Sequence, residues 1–137
     1  MKALTIDDQS VSGMAGLICH IVLDAAGHTS QFINAPLVYD AKPFTSYTPE
    51  MADLIVLGAR ELKPDWVMMV LQGRDSSGQM AVAAAIHQCM PTARFVFISG
   101  SAHTEELERA RLQGLKFLFI EMPVNPEQFL AGLEKSV

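Results

Sequence analysis

Two stretches of this chain, residues 65–70 (DWVMMV) and 94–99 (RFVFIS), are apolar almost throughout, with no polar residue at alternate positions. A strand with one face in water alternates. A strand that does not alternate is covered on both faces, and that is the habit of a parallel sheet wrapped by helices. Parallel neighbours also need a crossover between them, usually a helix, so the segments between such strands must be helical.

The rest of the chain fits that demand. A first strand is expected at 3–6 (ALTI), followed by a helix in which Met14, Leu17, Ile18, Ile21 and Val22 recur at helical spacing. Ser10 or Ser12 can cap that helix, and Gly27 stands where a helix stops. A short second strand lies within 30–34, and Thr48 then caps a helix over 49–62 that opens with Pro49 and Glu50. Strand 3 is 65–70; Ser77 or Gly78 opens helix 3 (79–90), which Pro91 ends. Strand 4 is 94–99. Helix 4 (103–113) carries Glu105 and Arg109 at i, i+4, with Gly114 as its stop. Strand 5 is 116–120, and Pro126 begins helix 5, with Phe129, Leu130 and Leu133 as its inward stripe. Five β/α units predict one α/β domain over residues 1–137. Its fold is a flavodoxin-like three-layer sandwich with a five-stranded parallel sheet in the order 2-1-3-4-5. That order places the ligand crevice at the carboxyl ends of strands 1 and 3.

Charge narrows the function. With a formal net charge of −5 and 18% charged residues, the chain lacks the clustered Lys and Arg that nucleic-acid or anionic-membrane binding requires. No apolar run approaches membrane-spanning length. MKALTIDD runs directly into a strand-like segment with no secretory h-region, so a cytoplasmic location is expected. Cys19 and Cys89 are isolated and read as buried, reduced thiols; the four histidines (20, 28, 87, 103) share no ligand-type spacing.

At the crevice, strand 1 delivers Asp7 and Asp8, strand 3 delivers Val70, strand 4 delivers Ser99, and strand 5 delivers Met122 and Pro123. Adjacent carboxylates at a strand end can hold a hard cation such as Mg²⁺. One of them can equally serve as a helix cap. The residues alone leave both open.

Several pieces fall in register on this framework: IDDQ after strand 1, PDWVMMV at strand 3, and Gly78 eight residues past its end. Ser99-Gly100 follow strand 4, and FLFIEMPVNPEQF spans strand 5. Together they resemble the response-regulator receiver domain, the CheY-like family, over essentially the whole chain. In that family an acidic pair binds Mg²⁺ and an aspartate ending strand 3 accepts a phosphoryl group. A Ser or Thr after strand 4 and a Lys before a cis proline contact the phosphate. The resemblance puts the acidic pair on Asp7 and Asp8, the hydroxyl on Ser99, the aromatic switch on Phe119 and the proline on Pro123. Two positions depart from it: the acceptor falls on Val70 and the lysine on Met122. One negative and one positive charge vanish together, so their sum is unchanged.

The resemblance therefore implies a degenerate receiver, a pseudo-receiver with no catalytic residue and at most weak Mg²⁺ on Asp7 and Asp8. Such a module of two-component phosphorelay signalling would act by phosphorylation-independent protein–protein contact and not as an enzyme. Receivers commonly dock a partner, or a second copy, through helix 4–strand 5–helix 5, here residues 103–135. Alternatives are an atypical acceptor, with Asp75 nearest in sequence, or a flavodoxin-like binder of a cobalamin- or flavin-type ligand. Against the second, DDQSVSG stands where a cobalamin domain would carry D-x-H-x-x-G. Arg74 offers a counter-charge for the acidic pair. Residues 34–48, with Tyr39, Phe44 and Tyr47 and two prolines, form a long loop, read either as a lid or flap over the crevice or as side packing. Helix 3 is nearly free of charge, which suits tight packing first and a partner surface second; His87 there reads as a helix-surface residue.

Overall fold

The computed structural model describes residues 1–8, 14–39, 45–72, 76–100 and 104–135. In chain order these give β1 (Lys2–Asp7), α1 (Ala15–Ala25), β2 (Thr29–Asn34), β3 (Leu37–Tyr39), β4 (Thr45–Tyr47), α2 (Pro49–Leu62) and β5 (Trp66–Val70). They continue as α3 (Ser77–Cys89), β6 (Arg94–Ser99), α4 (Thr104–Leu112), β7 (Phe117–Glu121) and α5 (Pro126–Lys135).

A five-stranded sheet in the order β2-β1-β5-β6-β7 forms the middle layer, and every described pairing in it is parallel. The order differs from the expected 2-1-3-4-5 in chain numbering because two unexpected strands intervene. β3 and β4 form a separate antiparallel hairpin with Leu37 opposite Tyr47, Val38 opposite Ser46 and Tyr39 opposite Thr45. The segment expected to be an irregular loop therefore contains a two-stranded ribbon. Its strands, three residues each, are too short to show a period in sequence.

The central strand β5 is buried at all five positions, as its unbroken apolar run requires. The pleat sends alternate residues to opposite layers. Val67 and Met69 join Leu4, Ile6, Phe95 and Phe97 in one core cluster, to which Ile55 of α2 and Val82 and Ile86 of α3 belong. Met68 and Val70 join Ala3, Val96 and Ile98 in the other, with Cys19 and Leu23 of α1 and Phe129 and Leu133 of α5. Each fully buried side chain of this size contributes about 1.5–3 kcal/mol relative to exposure.

Local signals account for the helix ends. Thr48 Oγ1 accepts from Met51 N at 3.2 Å with Pro49 at the first turn. Asn125 Oδ1 accepts from Gln128 N at 3.0 Å to open α5. Gly27 and Gly114 adopt positive φ of 87° as helices stop. Ser10 and Ser12, the expected caps of α1, lie outside the described residues; Met14 occupies the cap position without a side-chain bond. The Glu105–Arg109 pair forms at 3.9 Å between side chains 89% and 64% exposed, where such a pair contributes little. Cys89 is exposed, contrary to the expectation that both thiols are buried, because it is the last residue of α3, one turn past Ile86, the last buried residue of the helix. Among the described residues no helix is long and apolar enough to cross a membrane.

Candidate functional site

β1 carries a mainly apolar strand to the carboxyl edge of the sheet and ends it on Asp7, fully buried, followed by Asp8, 4% exposed. Both carboxylates face backbone donors. Asp7 Oδ2 accepts from Gly16 N at 2.9 Å, in the first turn of α1. The approach is so close that a Cβ at position 16 would sit 2.5 Å from Asp7 Oδ2 and 2.6 Å from its Cβ. Asp8 Oδ2 accepts from Leu37 N at 2.9 Å, the first residue of the hairpin. The hairpin is further tied to β1 through Ala35 N, which donates to Asp7 O at 2.7 Å.

Across the crevice β5 ends on Val70, fully buried. Its carbonyl accepts from Gln79 Nε2 at 2.8 Å, and Gln79 Oε1 accepts from Gln72 N at 2.9 Å. Gln79 Nε2 also donates to the Tyr47 hydroxyl at 3.3 Å. One buried amide at the start of α3 thus holds both sides of the turn after β5 and receives the hairpin. Gln79 is the functional-looking residue that sequence reasoning missed. Its signal was available, as a polar side chain in the first turn of an otherwise charge-free helix.

The remaining predicted positions fall into place around this centre. Ser99, 2% exposed, ends β6, and its carbonyl accepts from Met122 N at 2.9 Å. The Met122–Pro123 bond is cis. Met122 packs against the apolar cluster that contains Val70. Phe119, half-buried, sits beside Phe97 in the sheet and packs on the opposite cluster. Arg74 and Asp75 lie outside the described residues.

The acidic pair leaves its mark on its neighbours. Burial pushes the Cys19 thiol up to about 12, and the charge of Asp7 adds to that. Burial likewise raises the Tyr47 phenol to about 12; the Gln79 hydrogen bond works against this, and Asp7 and Asp8 reinforce it.

The chemistry open to this arrangement is restricted. Val70 presents methyl groups and has no oxygen to phosphorylate, and Met122 has no charge to hold a phosphoryl oxygen. The donor set also fits Mg²⁺ poorly. That ion asks for near-octahedral oxygen ligation, while Asp7 and Asp8 each commit an oxygen to a buried backbone N–H and the third strand-end residue is a valine.

No family model and no curated protein matches the chain. Solved structures do. The chain is similar to a CheY-like response regulator receiver domain protein from Methanospirillum hungatei JF-1, at TM-score 0.72 and 14% identity, over 98% of this chain and 91% of that one. It is similar to the chemotaxis protein CheY4 of Vibrio cholerae at TM-score 0.70 and 14% identity, over 99% and 98% of the two chains. A Burkholderia pseudomallei response regulator, solved with a phosphorylated aspartic acid, a calcium ion and citrate, matches at TM-score 0.67 and 22% identity over 96% of this chain and 65% of that one. The chain spans only 27% of NtrX from Brucella abortus, which it matches at TM-score 0.67 and 19% identity. At these identities the likeness is one of fold: this is an α/β, flavodoxin-like chain with the architecture of CheY-like receiver domains.

Proposed function

We propose that the chain is a receiver-like module of two-component signalling that acts through contact with protein partners, without aspartyl phosphorylation and without enzymatic activity. The observation that carries this reading is Val70. It stands where a receiver's acceptor aspartate is expected, is fully buried, and has its carbonyl bound by Gln79. Met122, at the lysine position, supports it by packing with the same apolar cluster.

The proposed docking face is α4–β7–α5, within 103–135. Among the described residues β7 is an edge strand paired with β6 alone, and its residues Phe117, Leu118, Phe119 and Ile120 are all half-buried with no charge before Glu121. An apolar edge of that kind invites a partner. Leu112, at the end of α4, is 79% exposed.

The test is incubation with acetyl phosphate and Mg²⁺ followed by intact mass. The expected result is no added mass. A gain of one phosphoryl group that disappears in Asp75→Asn would establish an atypical acceptor and overturn the reading.

A further inference from the structure

We infer that the acidic pair of this chain, Asp8 above all, is the anchor of the β3–β4 hairpin, which takes the place at the crevice that a bound cation would otherwise hold. Leu37 and Tyr47 are register partners across β3 and β4. The backbone of Leu37 donates to Asp8 at the end of β1, while the hydroxyl of Tyr47 accepts from Gln79, which grips the carbonyl of Val70 at the end of β5. A single rung therefore bridges the two strands that flank the crevice.

Both of its contacts are buried, and Ala35, Leu37 and Tyr47 belong to the same core cluster as Leu4, Ile6 and Met69. A buried N–H that loses its acceptor pays the desolvation of that group. A cation that drew Asp8 Oδ2 away from Leu37 would leave that N–H in this state, so hairpin and cation compete for that oxygen. The hairpin belongs to the chain and is present at an effectively saturating local concentration. The competition therefore favours the closed state, and the end of the sheet holds one conformation with or without divalent ions.

This inference rests on the hydrogen bonds of the hairpin and not on the absence of phosphorylation, so the acetyl phosphate experiment and the following one can fail separately. Amide hydrogen exchange at Leu37 is followed by NMR in the intact chain, with about 10 mM Mg²⁺ or with EDTA. Exchange is expected to be slow and the same within about twofold in the two conditions. In Asp8→Asn the amide oxygen still accepts from Leu37 N, so protection is largely retained. In Asp8→Ala it is lost by roughly tenfold or more, again regardless of Mg²⁺. Tyr47→Phe, which leaves Asp8 intact, also speeds exchange at Leu37 because it releases the other end of the same rung. Wild-type exchange at Leu37 that changes with Mg²⁺, with the response abolished alike in Asp8→Asn and Asp8→Ala, identifies Asp8 as a cation ligand and overturns the inference. Unaltered exchange in Tyr47→Phe removes the rung from it.

Discussion

Glycine at position 16 is what allows Asp7 to reach the first turn of α1. With a Cβ there, the carboxylate would be met at 2.5 Å, a separation that something must relieve by moving. The contact is to a side chain held in the core, so movement is costly, and Gly16→Ala should lose about 1–3 kcal/mol, the range of overpacking. Its urea midpoint falls while the m-value stays put; an unchanged midpoint would mean that Asp7 swings aside freely. Three positions away, Cys19 illustrates how the same carboxylate acts at a distance. Its thiol is buried and pushed up to about 12, whereas Cys89 is exposed. A thiol reagent at neutral pH should therefore label one of the two cysteines in the native protein and both after denaturation, since the thiolate is the reactive form. At this scale legibility was uneven. Val70 could be placed at its strand end from sequence because an apolar run buried on both faces marks where it stops, whereas Met122, one residue past β7, gained its meaning from the receiver resemblance. Gln79 showed in sequence only as a polar residue in the first turn of α3, and Gly16 not at all, because their partners, Val70 and Asp7, are set by the way α3 and α1 dock on the sheet. No spacing rule encodes that docking.

Among the elements, the hairpin is where sequence and structure part most clearly. Its strands pair over three residues each, and an isolated two-stranded ribbon is at best marginally stable in water. No Asn-Gly or Asp-Gly turn marks it, and Pro36 and Pro43 argue locally for irregular chain. What stabilises it is tertiary: Asp8 at one end of the Leu37–Tyr47 rung and Gln79 at the other. Tyr47→Phe should accordingly cost about 1 kcal/mol, the typical net value of one hydrogen bond. Gln79→Leu should cost more, because it frees the Val70 carbonyl and the Gln72 N–H together. Equal losses in the two variants, measured by denaturant midpoint, would show that Gln79 acts only through Tyr47. The helices were more legible, since their caps are local. Thr48 with Pro49, and Gly27, mark their ends in sequence and do so in the structure. The charge-free sequence of α3 is explained by packing: Val82, Ala83 and Ile86 are buried on the sheet side, and α2 and α4 flank the helix.

Over the whole molecule, the fold could be read because strand-like segments, two of them apolar almost throughout, alternate with helical periods and admit few topologies other than a parallel sheet with helices on both faces. Two titratable groups that this fold shifts lie in different core layers. Cys19 is in the cluster beneath α1 and α5, and Tyr47 is in the cluster on the other side. Their shifts combine into one property of the molecule, its response to alkali. Both are acids whose neutral form the fold favours, Cys19 rising from 9.0 and Tyr47 from 10.0, each to about 12. Below pH 9 folded and unfolded chains alike keep both protons, so neither group makes stability depend on pH. Between 9 and 12 the unfolded chain releases them first while the native chain retains them. The native state then binds more protons, and stability falls as pH rises. With one pKa unit worth about 1.4 kcal/mol, the combined loss on approaching pH 12 is on the order of several kcal/mol. Cys19→Ala with Tyr47→Phe should lower stability by a constant amount near neutrality and flatten the fall between pH 9 and 11. Denaturant titrations across that window read the slope directly, and a double variant as steep as the wild type would place the alkaline sensitivity in other groups.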